Sequence, residues 1–166
     1  MTTSTKAISP NFQFLLRHPS HLIALGLGTG LSPKAPGTVG TLVGLPLFYL
    51  LSLMPESSHM MVLVLLFVVG IPICSQAGNA LGLADHGSIV WDEIVAMMLV
   101  LEFTPYSPWW WGLAFVLFRL FDIWKPIPIR QCDAKLKGGF GVMFDDLLAA
   151  IYAIISLKLI LCLVLN

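Results

Sequence analysis

A chain of 166 residues gives the length of one domain, and its composition sets the class. Hydrophobic residues make up 57% and charged residues 11%, with a mean hydropathy of +0.88, which excludes an ordinary soluble globule and points to an integral membrane protein. Nine Lys and Arg offset nine Asp and Glu, so there is no basic stripe to follow a phosphate backbone, and a nucleic-acid partner is excluded.

Residues 1–20 read as a polar tail, expected in the cytosol. The tail lacks the short apolar core and small-residue cleavage site of a signal peptide, so no cleaved signal is expected. Leu22–Leu31 is apolar but short and Gly-rich, which predicts an interfacial or re-entrant helix rather than a span. It merges into GLGTGLSPKAPGTVGT, whose Thr29, Ser32, Thr38 and Thr41 hydroxyls lead into the first long helix. Such a loop can offer N–H groups and a helix N-terminus to phosphate, although it lacks the Gly-Lys-Ser/Thr ending of a nucleotide P-loop.

Apolar runs then predict five spanning helices, at Thr38–Met54, Met60–Ala80, Ile89–Phe103, Trp109–Ile123 and Asp145–Leu165. The expected fold class is all-α, a polytopic membrane helix bundle formed as a single domain. Lys6, Arg17 and Lys34 precede the first span, and Lys125, Arg130, Lys135 and Lys137 separate the fourth from the fifth. The loops Pro55–His59 and Thr104–Pro108 carry no Lys or Arg, so the N-terminus and both charged windows should face the cytosol. Trp109, Trp110 and Trp111 open the fourth helix on the opposite side, as an aromatic belt does. Pro126 and Pro128 should end that helix near Lys125 and leave extended chain beyond it. Cys74, Cys132 and Cys162 are too far apart for a metal pair or a disulfide framework and read as reduced thiols.

Most of the charge lies in two windows, Asp85 to Glu93 and Arg119 to Asp146, each beside a long apolar run. Ionisable groups near membrane depth are costly and mark function by default. Neighbouring carboxylates on a helix point about 100° apart, so Asp92 and Glu93 should diverge, one coordinating and the other supporting. Asp145 and Asp146 are expected to open the last helix, where negative charge is favoured. Arg119 and Asp122, three apart, share a helix face and can pair. Together with Asp122, the two doublets place more carboxylates at one membrane face than the nearby cations neutralise. A bound divalent cation resolves that excess, and an oxygen-only ligand set favours a hard ion, magnesium (Mg2+), over zinc. Lys125 and Arg130, at and beyond the helix end, are candidates to meet an anionic headgroup. Ala149, Ala150 and Ala153 give the last helix a small-residue face behind the acids. Small faces permit a homo-oligomer, but nothing in the sequence calls for one.

Four motifs in order, GTGLSPKAPGTVGT, DHGSIVWDE, FRLFDIWKPIPIR and GGFGVMFDD, resemble the phosphatidylglycerophosphatase A family of bacterial membrane lipid phosphatases. The resemblance runs from about His21 onward. It implies an all-α core and Mg-dependent removal of the terminal phosphate of phosphatidylglycerophosphate, at the cytosolic face of a bacterial inner membrane amid membrane lipids. On that footing the expected catalytic set is Asp92, Glu93, Asp122, Asp145 and Asp146. Glu93, Asp122 and Asp146 hold metal, with Asp92 and Asp145 in support. Arg119, Lys125 and Arg130 hold phosphate, framed by Ser32, Thr38 and Thr41. One carboxylate takes a proton from the attacking water, or an aspartate attacks directly.

Two rivals fit less well. A CDP-alcohol-type phosphotransferase needs a spaced aspartate motif that is not visible. A cation-coupled membrane transporter is disfavoured because the acids sit at helix ends on one face and no inverted repeat is evident.

Overall fold

The computed structural model describes residues 8–165, so the first seven residues of the expected cytosolic tail, including Lys6, lie outside the described residues. Every regular element among the described residues is helical. Two short helices, α1 (Phe12–Arg17) and α2 (Pro19–Ala24), precede a 3-10 stretch, Gly26–Leu31, and six further helices come after it. These are α3 (Pro36–Leu51), α4 (Glu56–Leu81), α5 (Trp91–Glu102), α6 (Pro108–Trp124), α7 (Ile129–Lys135) and α8 (Gly138–Leu165).

All five expected long helices are present with shifted ends, but the elements around them differ. Leu22–Leu31 is not one helix: α2 ends at Ala24, and Leu27 and Gly28 take positive φ values of 57° and 105° that break the chain into a tight turn. The segment after Pro126 is not extended, because beyond Pro128 the chain winds into α7. The last helix starts at Gly138, so Asp145 and Asp146 lie two turns inside it instead of opening it. The GGFGVM run supplies those two turns, its apolar residues packing inward at Val142 and Met143.

Among the described residues, only α4 and α8 are both long and apolar enough to cross a membrane. A core helix of a soluble protein would bury most of its apolar window, whereas these two bury 22% and 28% of theirs. Met61, Val64, Leu65 and Val68 on α4 and Ile155, Leu159 and Leu163 on α8 point outward. An exposed apolar surface of this extent marks membrane association. At the start of α6 Trp109 is exposed as expected of the aromatic belt, while Trp111 turns inward and packs edge-on against Phe48 with ring centres 5.8 Å apart.

Small residues set the spacing of the bundle. Gly37, Gly40 and Gly44 fall on one face of α3, and that face lies on α5; a Cβ at Gly40 would stand 2.6 Å from the Val90 Cβ. On α8, Ala149, Ala150 and Ala153 are fully buried in the main apolar core with Ile94, Met97 and Leu101 of α5 and Ala114 and Phe118 of α6. A second apolar cluster joins α1 and α2 to α4 through Phe14, Leu25, Cys74 and Leu81. The close helix contacts bring one end each of α3, α5, α6 and α8 together, and the acids lie at those ends or, on α8, two turns in.

Candidate active site

Asp92 and Glu93 occupy the first turn of α5, where the helix dipole favours negative charge. They diverge as one-residue spacing requires. Glu93 faces α3 and α6, and its carboxylate lies so close to Gly37 that a Cβ there would overlap Oε1. Asp92 faces the other way, toward a groove walled by α4 and α8.

Arg119 ties three helices together through one nitrogen. Its Nη1 donates to Asp122 Oδ2 at 2.5 Å, to Glu93 Oε1 at 3.2 Å and to Thr41 Oγ1 at 3.4 Å. The pairing of Arg119 with Asp122 is the i, i+3 contact anticipated on α6. Thr41 is fully buried and donates its own hydroxyl proton to the Gly37 carbonyl, 2.9 Å away. It therefore seats Arg119 within the bundle.

Lys125 closes α6 in the left-handed region, with φ 45° and its N–H bonded to the Phe121 carbonyl. A non-glycine residue in that region carries strain, which functional sites often hold. From there its ammonium bonds to Asp145 Oδ2 at 2.6 Å and to Asp133 Oδ2 at 3.2 Å. Burial alone would lower the Lys125 pKa, but the hydrogen bonds and charges of Asp145 and Asp133 outweigh it and raise it above its ordinary value. The ammonium stays charged.

Asp146, 3% exposed, lies within electrostatic range of Asp122, Asp92, Glu93 and Asp145. The five carboxylates expected to form the site are thus one neighbourhood, with Arg119 and Lys125 the cations bonded into it. Four buried oxygens in it have no hydrogen-bond partner: Asp92 Oδ1, Glu93 Oε2, Asp145 Oδ1 and Asp146 Oδ2. Buried acceptors left open in this way are unusual and call for an explanation, of which a bound ion is one. Among the described residues no three acidic, imidazole or thiol groups already form a closed metal cage. The set nonetheless fits magnesium, which uses a few carboxylates, keeps waters and takes phosphate oxygens as further ligands. Asp92, Glu93, Asp145 and Asp146 carry the open donors, whereas one oxygen of Asp122 is committed to Arg119.

The structure does not bring every expected residue here. Ser32 donates to the Lys34 carbonyl on an exposed turn, Thr38 is half-buried in the first turn of α3, and Arg130 is exposed on α7, lining a shallow surface groove. No described contact joins these three to the acids. Two further acids, which the sequence pattern did not single out, join the neighbourhood. Asp133 bonds Lys125 from α7, and no helical period relates the two across the proline bend. Asp85 lies within electrostatic range of Glu93 and Asp145, and its place at the head of DHGSIVWDE was the available signal.

Helical packing, an exposed apolar surface and a buried carboxylate cluster bound to Arg and Lys describe a membrane-associated helical protein with a candidate active site. The chain belongs to the phosphatidylglycerophosphatase A family, whose model matches residues 22–161. It is 43% identical over 137 residues to the phosphatidylglycerophosphatase A of Escherichia coli (strain K12), covering 82% of this chain and 80% of that protein. It is 48% identical over 149 residues to that of Haemophilus influenzae (strain ATCC 51907), covering 89% of this chain and 91% of that protein. No solved structure matches the chain.

Proposed function

We propose that the carboxylate cluster, charged with magnesium, is where this chain removes the terminal phosphate of phosphatidylglycerophosphate to leave phosphatidylglycerol and inorganic phosphate. The reaction class comes from the family: the chain is a lipid phosphatase. The observation that carries the siting is the group of four unpartnered buried carboxylate oxygens beside two bound cations.

Bound magnesium would supply the positive charge that offsets the charge developing on the nonbridging phosphate oxygens. The protein does the rest by position. Asp92, Glu93 and Asp146 are the ligands we assign from their open oxygens, with Asp122 held beside them by Arg119. Lys125, kept protonated at the cluster's edge, meets the incoming phosphate, exchanging part of its contact with Asp145 for the substrate anion. Asp145, once released, is placed to accept a proton from the attacking water. Arg119 acts as a brace: its Nη1 already serves three acceptors, and its Nε is buried.

We further propose a five-span topology in a bacterial inner membrane, with the acids at the cytosolic side. The support is the absence of Lys and Arg from the loops at the opposite end and the position of Lys125, Arg130, Lys135 and Lys137 in the connection between α6 and α8, at the acids' end of the bundle. The short helices α3, α5 and α6 then cross beside the long α4 and α8.

Phosphate release from phosphatidylglycerophosphate by the purified protein in micelles, with magnesium and then with chelator, tests the reading. Release lost on chelation and restored by magnesium is the expected result. Unchanged release after chelation removes magnesium from the mechanism, and no release by folded protein with magnesium removes the substrate assignment.

A further inference from the structure

Asp92 has a second neighbourhood that the chemistry above leaves unused. A cavity of about 220 Å³ lies between α4, α5 and α8, and Asp92 is the single charged residue among those lining it. On α5 the lining is Asp92, Val95, Ala96 and Leu99, the i, i+3, i+4, i+7 face of one helix. On α4 it runs with the same spacing from Met60 to Phe67. The cavity is therefore a groove parallel to the helix axes, about 10 Å long at 1.5 Å per residue. Val64 on its rim is 55% exposed, so the groove opens on the apolar outer surface.

We propose that this groove holds one acyl chain of the lipid whose phosphate the cluster removes, a reading that rests on the function proposed above. Three features select that occupant. A groove along the helix axes runs along the bilayer normal, the direction an acyl chain takes, and covers most of a leaflet's roughly 15 Å of hydrocarbon. The volume exceeds the ~150 Å³ apolar cavity that accepts a benzene ring, so it has room for several methylenes. Finally, the groove ends on a carboxylate that is buried, has an unpartnered oxygen and belongs to the acidic cluster. A chain lying in the groove brings its own headgroup to that carboxylate, and a lipid elsewhere on the surface does not. The groove thus couples recognition of the tail to placement of the phosphate.

The test uses full-length protein in phosphatidylethanolamine vesicles and phosphatidylglycerophosphate carrying a diazirine midway along one acyl chain. After photolysis, crosslinks are mapped by peptide mass. The expected crosslinks concentrate on Leu63, Phe67 and Leu99, and Val64→Trp, which fills the groove from its lipid-facing rim, reduces them at least tenfold. The same variant lowers kcat/KM for the long-chain substrate about tenfold and leaves a dihexanoyl substrate nearly unaffected, while Leu65→Trp, on the outward face of α4 away from the groove, leaves both unchanged. Crosslinks spread evenly over the outward faces of α4 and α8, or undiminished in Val64→Trp, overturn the groove. Equal loss on long and short substrates also overturns it, because that pattern reports general damage. Photolabelling does not depend on turnover: groove labelling without phosphate release would sink the phosphatase reading alone, and release without groove labelling would sink the groove alone.

Discussion

At the end of the bundle away from the acidic cluster, His59 sits between Glu102 Oε2 and the Met54 carbonyl, each 3.1 Å from a ring nitrogen. At the other end, Asp92, Glu93, Asp122, Asp145 and Asp146 neighbour one another with only Arg119 and Lys125 bonded among them, and four oxygens are left open. Both ends bury ionisable groups at apparent cost. The His59 end closes its pair and asks nothing further, which is how a structural contact is built. The acidic end leaves buried acceptors open, which stability alone does not explain and which the proposed magnesium would fill. The contrast supports the proposed division between residues that hold the bundle and residues held open for chemistry.

The sharpest way to break it is Arg119→Ala. That change leaves Glu93, Asp122 and Thr41 without their shared donor, and removing one partner of a buried ion pair costs about 3–5 kcal/mol. A large fall in melting temperature in detergent, with activity lost, is expected. If Arg119→Ala melts normally, Arg119 does not brace the site and a direct phosphate role becomes the better reading.

Asp146→Asn should separate stability from function. The substitution removes one negative charge from an over-acidic neighbourhood, so the apo protein should melt no lower than the native chain. Phosphate release should nonetheless fall about 10²-fold or more, the range expected for a lost catalytic carboxylate. Magnesium should raise the melting temperature of the native chain and do so less for this variant. A variant with full activity would remove Asp146 from the ligand set.

Spacing explains why some of these residues are legible in the sequence and others are not. Apolar runs locate α3, α4, α5, α6 and α8, because helices that must be apolar along their length leave a plain record. The pairing of Arg119 with Asp122 is legible from three-residue spacing on one helix. The start of α8 is obscured because Gly138, Gly139 and Gly141 look like loop residues. Gly139 is in the first turn because a Cβ there would strike the backbone of α4 at Ile71 and Ser75, and glycine is the residue that close helix packing demands. Helix α7 is hidden because Pro126 and Pro128 signal a break without revealing the helix beyond it. Asp133 is hidden with it, since its contact with Lys125 exists only once α7 has formed. Ser32, Thr38 and Arg130 are drawn toward the site by residue type, and no fixed spacing ties them to the acids.

A smaller effect tests the closed end. Glu102→Gln keeps a hydrogen-bonding group near His59 but removes the charge, and should cost about 1 kcal/mol in stability with phosphate release nearly unchanged. A large drop in activity without loss of stability would show that the His59 end takes part in the chemistry after all.

The smallest effect is expected where the open end meets solvent. The Asp133 side chain is 37% exposed and its contact with Lys125 is the longer of the two at that ammonium, so Asp133→Asn should change stability by no more than about 0.5 kcal/mol. Lys125 would keep its 2.6 Å bond to Asp145 and remain charged. If Lys125 meets substrate phosphate, loosening it from Asp133 should shift KM and leave kcat in place, because an exposed partner competes with the incoming anion and does not touch the reacting atoms. Steady-state kinetics on phosphatidylglycerophosphate separates the two quantities. A fall in kcat at constant KM would instead place Asp133 with Asp145 inside the catalytic group and extend the open end of the bundle as far as α7.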